Sequence, residues 1–370
     1  MALSFPSFNL KSFFSSFKKE DRFLGIDIGS SSIKVIQLKK EKERAILETY
    51  GELSLAGYAN GEVGKAFMVI DTKVTEALRD VLRESQIKAT KAGVAIPLKS
   101  SFLTTMEMPY LSDEELVEAI PFEARKYVPI PLSEAKIDWW ILPPKSEENA
   151  SLSIGSPKRQ FVNVLLAAVP QEVIAKYKVI LKNVSLEISS FELEVFPFAR
   201  AALKRELGAV LLIDLGAYST KMTIIDGGVV RAAHSLYKGA QEMTLVLSQS
   251  LGLNFERAEI LKRENGILHK PETEGIASIL ETQVDFIASE GERFLLDWKR
   301  KGGRPISKVV LGGGGALLKG ITETMIKKFG VEVEIVNPFS KVVYPAFLEP
   351  SLKEVGAIFT TALGLALKNF

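Results

Sequence analysis

The sequence contains no cysteine, which excludes disulfides and thiolate metal sites and fits a reducing compartment. Its 2 histidines, His234 and His269, are too few and too isolated for a metal cluster or a catalytic triad, and both read as ordinary structural residues. No apolar run reaches the roughly 20 residues that a membrane-crossing helix needs. The net charge of +2 is too small to suggest a nucleic acid as partner. The one compact cationic stretch, Lys299-Arg300-Lys301, reads as the basic end of a long helix. What remains is a globular composition of 46% hydrophobic and 25% charged residues in 370 residues, enough for two or three domains.

The stretch that orders the rest is Phe23 to Leu38. Apolar residues lead to Asp27, a turn of Gly29, Ser30, Ser31 and Ser32 follows, and a β-rich run leaves it through Lys34. This predicts a β-hairpin whose tip can cup an anion with backbone N–H groups and short hydroxyls. The pattern returns at Val210 to Ile225, with Asp214, Gly216, Ala217, Tyr218, Ser219 and Lys221. Both copies fit Asp-x-Gly-x-x-Ser-x-Lys, which predicts two related half-domains facing each other across a cleft. A third element, Lys308 to Ile321, runs from a buried-type strand into Gly312, Gly313, Gly314, Gly315 and Ala316, then into a helical pattern expected over Leu317–Phe329. Bare backbone there would let a flat ligand lie close. This glycine run supplies neither a P-loop, which would need a Gly-Lys-Ser/Thr ending, nor a Rossmann fingerprint, which would need a glycine at Leu317.

These three motifs resemble the actin-type nucleotide-binding superfamily, and within it the PilM family of type IV pilus assembly proteins, with FtsA and MreB as further relatives. The likeness runs from about Phe23 to the C-terminus. Phe191–Ala201 resembles the superfamily's first connecting helix and Glu354–Leu367 the closing one. The resemblance implies an α/β, actin-like (ribonuclease H-like) fold of two lobes, with ATP and Mg²⁺ as cofactors. Gly29 to Ser32 and Gly216 to Ser219 would then hold the phosphates from opposite sides, with Lys34 and Lys221 either beside them or facing solvent from the outgoing strands. Asp27 and Asp214 would position Mg²⁺ through water, because that ion sheds its hydration reluctantly. Glu259 and Lys262 match a Glu-x-x-Lys of MreB that touches ribose and adenine; an ordinary i,i+3 ion pair is the alternative. Gly313 to Ala316 would form the opposite wall.

Hydrolysis is where the pattern departs from its relatives. MreB-like proteins place a glutamate directly before the proline of the first connecting helix, whereas here Val195 and Phe196 precede Pro197 and the nearest carboxylate is Glu194. A water-activating base must lie within hydrogen-bond reach. Binding is therefore expected, with at most weak ATPase activity and Glu194 as the one catalytic candidate.

Between the first hairpin and its connecting helix, residues 101–185 read as strand, helix, strand, strand, helix. Ser112 and Glu115 form a capping-box signature, Trp139-Trp140 alternate on a strand, and 143–157 reads as a polar loop. This α+β insertion (SHS2-type) occurs in PilM and FtsA, whereas actin and MreB lack it. The expected division is 1–22 as an amphipathic start, 23–100 as the first lobe rejoined by 186–207 and 340–370, 101–185 as the insert, and 208–339 as the second lobe. Residues 10–19 place apolar side chains on one helical face with lysines nearby, as an interfacial membrane helix does; a short helix packed on the protein's own surface, or a frayed tail, is the alternative.

The resemblance implies a scaffold that is cytoplasmic and peripheral to the inner membrane and that captures the N-terminal cytoplasmic peptide of PilN. It leaves self-association open. An FtsA-like division filament is the alternative, although the sequence ends at Phe370, directly after the last core helix, where FtsA continues into an anchor. A small-molecule kinase is a third reading, without a dedicated substrate motif.

Overall fold

The computed structural model describes residues 21–59, 61–144, 161–204 and 208–370. The amphipathic stretch 10–19 and most of the loop expected over 143–157 lie outside these residues.

Strands β1 (Arg22–Ile28), β2 (Ser32–Glu41) and β3 (Arg44–Ser54) form an antiparallel meander. Helix α1 (Asp71–Glu84) then leads to β4 (Lys91–Ile96), which pairs parallel with β1. The insert follows as β5 (Phe102–Pro109), α2 (Asp113–Ala124), β6 (Ala135–Ile141), β7 (Phe161–Pro170) and α3 (Gln171–Lys182). The first lobe resumes with β8 (Glu187–Leu193), parallel to β4, and α4 (Val195–Ala202). The second lobe repeats the plan: the meander β9 (Ala209–Leu215), β10 (Thr220–Asp226), β11 (Val229–Leu236), then α5 (Ala240–Leu251), α6 (Phe255–Asn265) and α7 (Glu274–Arg300). Strand β12 (Ile306–Gly312) pairs parallel with β9, and after α8 (Ile321–Phe329) β13 (Glu332–Ile335) pairs parallel with β12. Helices α9 (Glu349–Val355) and α10 (Thr360–Ala366) close the chain.

The two large sheets have the orders β3-β2-β1-β4-β8 and β11-β10-β9-β12-β13, the same topology twice. This is the actin-like two-lobed α/β fold with an inserted α+β unit, as the paired hairpins predict. The insert is a three-stranded antiparallel sheet of order β5-β7-β6. Its central strand explains the uninterrupted apolar run Val164–Val169. Val164, Leu166 and Ala168 pack against Leu116 and Ile120 of α2, while Leu165, Ala167 and Val169 on the other face join the large core that runs from the first lobe into the second. A strand covered on both faces needs no polar alternation. Trp139 faces the α2 side and Trp140 the first lobe, where its ring lies 5.6 Å from that of Phe196. Helix α3 buries Tyr177, Ile180 and Leu181 in that same core.

Three expected helices change form. Phe191–Leu193 belong to β8, so the first connecting helix starts at Val195. The closing helix is broken into α9, a 3₁₀ turn over Gly356–Phe359, and α10. The glycine run enters a 3₁₀ turn, Gly314–Leu317, and α8 begins only at Ile321, so the glycines do not open a helix directly. Helices α4 and α10 meet at very close range: a Cβ at Gly364 would stand 1.8 Å from the Pro197 carbonyl oxygen. Backbone-to-backbone contact there sets how the lobes are joined.

Candidate functional site

The two hairpin tips are near copies in three dimensions. Gly29 N–H donates to Ser32 O at 3.0 Å, and Gly216 N–H to Ser219 O at 3.1 Å. Asp27 pairs across its ladder with Lys34, and Asp214 with Lys221. The missing side chains matter equally in both. A Cβ on Gly29 would lie 3.0 Å from Ser32 O, and one on Gly216 3.0 Å from Ser219 O. Each glycine therefore lets a tight turn present its N–H groups inward.

Both tips open on one cavity of about 500 Å³, within the range of nucleotide-sized ligand sites. Every residue expected to touch the nucleotide lines it except Ala316, which is fully buried. The sequence-expected Glu194 lines it as well. Its position at the start of α4, rather than directly before Pro197, still aims the carboxylate into the cleft.

Charge is concentrated on the floor. Lys221 Nζ lies 3.1 Å from Asp214 Oδ2 and 3.1 Å from Glu194 Oε2. The other Glu194 oxygen accepts Leu98 N–H at 2.7 Å. Burial works against the Lys221 charge, but Asp214, Glu194 and Asp27 outweigh it and hold the ammonium above lysine's ordinary range. Burial pushes the Glu194 carboxyl up, with Lys221 opposing. Burial also pushes Asp27 up, while Lys34 and Lys221 pull it down and Asp214 adds repulsion.

On the second-lobe wall, Glu259 and Lys262 form a buried network rather than a surface pair. Lys262 Nζ is 2.6 Å from Glu259 Oε2 and 2.8 Å from Thr244 Oγ1, and Arg263 Nε donates to Glu259 Oε1 at 2.6 Å. Burial disfavours the Glu259 charge, yet Lys262, Thr244 and Arg263 together hold its carboxyl below the usual range. On the opposite wall, Gly313 adopts φ +78°, and a Cβ there would stand 2.5 Å from Asp214 Oδ1. A Cβ at Gly314 would meet nothing within 4 Å, because that residue faces open cleft.

Sequence reasoning missed Glu52, which accepts Ser32 Oγ–H at 2.7 Å, and Gly64, which reaches the cavity from the segment before α1. Neither belongs to a motif. The ladder register that places Glu52 beside the hairpin is the signal for the first.

The donor set suits a nucleotide: paired N–H turns, two lysines and a side-chain-free wall. It offers less to a bare metal ion. Asp214 Oδ2 is engaged by Lys221, and among the described residues no group of three or more His, Asp or Glu side chains is arranged to hold a metal. Asp27 remains beside the hairpins for an ion that keeps its water.

Fold and cleft together place the chain in the actin-like class of two-lobed proteins. MreB5 of Spiroplasma citri bound to AMPPNP matches at TM-score 0.51 and 12% identity over 94% of this chain and 95% of that one. The model of the type IV pilus assembly protein PilM family matches residues 25–370, so the chain belongs to that family. A solved PilM-PilN type IV pilus biogenesis complex matches at TM-score 0.77, with 24% identity over 93% of this chain and 97% of that one. Cell division protein FtsA of Streptococcus pneumoniae serotype 2 (strain D39) is 22% identical over 365 residues, covering 86% of this chain and 76% of that protein.

Proposed function

We propose that this chain is an ATP-binding scaffold of the type IV pilus assembly complex, cytoplasmic and peripheral to the inner membrane. The observation that carries this reading is the pair of equivalent hairpins opening on one cleft beside a bare glycine wall. Gly29 to Ser32 and Gly216 to Ser219 bind the phosphates from the two lobes, with Lys34 and Lys221 as counter-charges. Gly313, Gly314 and Gly315 receive the adenosine against Glu259 and Lys262, with Ala316 buried beside them. Mg²⁺, when bound with ATP, would offset phosphate charge next to Asp27 and Asp214. Both Glu194 oxygens are already engaged, so it is poorly placed to activate water, and turnover is slow or absent.

The partner is the N-terminal cytoplasmic peptide of PilN. The solved relative is itself a complex with PilN, and the insert carries exposed apolar side chains at Tyr110, Val117 and Phe122. Nucleotide would then bias which surfaces the lobes and insert present.

Calorimetry tests this with Mg-ATP and a PilN N-terminal peptide, on wild type and on Asp27→Ala/Asp214→Ala. ATP binding that the double substitution weakens, with peptide binding that responds to nucleotide, supports the reading. Absence of ATP binding in the wild type overturns it. ATP binding without peptide binding favours a division-filament role, the reading that the FtsA relative supports.

A further inference from the structure

Residues 61–67 lie between β3 and α1 and belong to no motif, yet they span the cleft. On the first-lobe side Phe67 N–H donates to Ser30 O at 2.8 Å, in the first hairpin tip. On the second-lobe side Ala66 N–H donates to Gln241 Oε1, and Lys65 Nζ stands 5.4 Å from the centre of the Phe255 ring. Gln241 N–H in turn donates to Ala217 O at 2.9 Å, in the second hairpin tip. The segment thus links one phosphate-type turn to the other around the outside of the cavity. Between these anchors Gly64, at φ +90°, comes so near Glu259 that a Cβ would sit 2.8 Å from its carboxyl carbon.

The way the segment is held leaves it able to lift. Val63, Met68 and Ile70 point to solvent, so no apolar burial fixes its outer face. Phe67 packs on the first-lobe core and is the fixed end. Ala66 is joined to the second lobe by a single polar contact, and glycines at 61 and 64 flank the span. Segments with few buried apolar contacts open at a small fraction of the global unfolding cost.

We propose that residues 61–67 are a strap across the nucleotide cleft, that Gly64 joins the wall beside Glu259, and that the Ala66–Gln241 latch sets how fast nucleotide enters and leaves. The proposal rests on the cleft being a nucleotide site. A ligand seated between the hairpins is enclosed while the latch is made, and exchange requires Ala66 to part from Gln241. Loops of this kind govern ligand release in many enzymes.

The test is stopped-flow release of a fluorescent ATP analogue. Gln241→Ala removes the latch acceptor and should speed release about three- to tenfold, the worth of one hydrogen bond. Because the chain has no cysteine, Ala66→Cys/Gln241→Cys provides one defined crosslink. Oxidation should slow release at least about tenfold, and reduction of the same sample should restore the wild-type rate. Equal release rates in the wild type and Gln241→Ala, or in the oxidised and reduced crosslink, overturn the strap while leaving the nucleotide site standing. A wild type that binds no nucleotide overturns both at once.

Discussion

The Lys221 ammonium stands 3.1 Å from Glu194 Oε2, and this contact ties the second-lobe hairpin to the start of the helix that joins the lobes. The same ammonium holds Asp214 at 3.1 Å, so one lysine compensates two cleft carboxylates.

Lys221→Met leaves two little-exposed carboxylates without their counter-charge. It should cost about 3–5 kcal/mol of stability, as does breaking other buried pairs from one side. Adding Glu194→Gln should return part of that loss, with a coupling of about 0.5–3 kcal/mol in urea unfolding. Strictly additive losses would mean that the two residues do not act on each other.

Asp27 responds to pH in a defined sense. Burial raises its carboxyl in the fold, so the folded protein binds this proton more tightly than the unfolded chain. Stability from this group is therefore greatest in acid and is lost as pH rises from about 4 through the higher folded value. Asp27→Asn should make the ligand-free protein more stable than wild type at neutral pH, with the difference closing as pH falls through that window. Thermal melts across pH read this directly, and a difference independent of pH would contradict it.

Gly314 separates binding from folding. A side chain there enters open cleft and meets no protein atom within 4 Å. Gly314→Val should keep unfolding free energy within about 0.5 kcal/mol of wild type, while ATP affinity drops at least about tenfold, the equivalent of roughly 1.4 kcal/mol. Gly313→Ala should behave differently, losing stability as well, because its Cβ would strike Asp214 Oδ1 from a left-handed backbone.

Trp140 carries the seam between insert and first lobe, with its ring against Phe196. Trp140→Ala should cost about 3 kcal/mol, near the low end for losing a large aromatic from a core. Hydrogen exchange should rise in β5, β6 and β7 before it rises in β9 or β12. Uniform acceleration through the whole chain would show that the insert has no seam of its own.

The legible parts of the molecule were those in which short-range chemistry repeats. The Asp-x-Gly-x-x-Ser-x-Lys spacing fixes a hairpin register that puts Asp27 opposite Lys34 and Asp214 opposite Lys221, whatever the rest of the chain does. Ser112 and Glu115 form the expected capping box. The extents of the connecting helices were less legible. Phe191–Ala201 is buried almost throughout and so is the second half of Glu354–Leu367, and such runs carry no periodicity to mark where strand becomes helix or where a helix breaks.

By itself the sequence determined the two hairpins, the bare glycine turn and the inserted strand pattern, because local backbone preference and side-chain spacing suffice for each. Tertiary structure decided the rest. It placed Glu194 against Lys221, made Glu259 and Lys262 a buried network, and brought Gly64 and Ala66 across the cleft. Those contacts join residues remote in sequence, so their energies depend on how two sheets are set against each other by α4 and α10, and no local pattern encodes that distance.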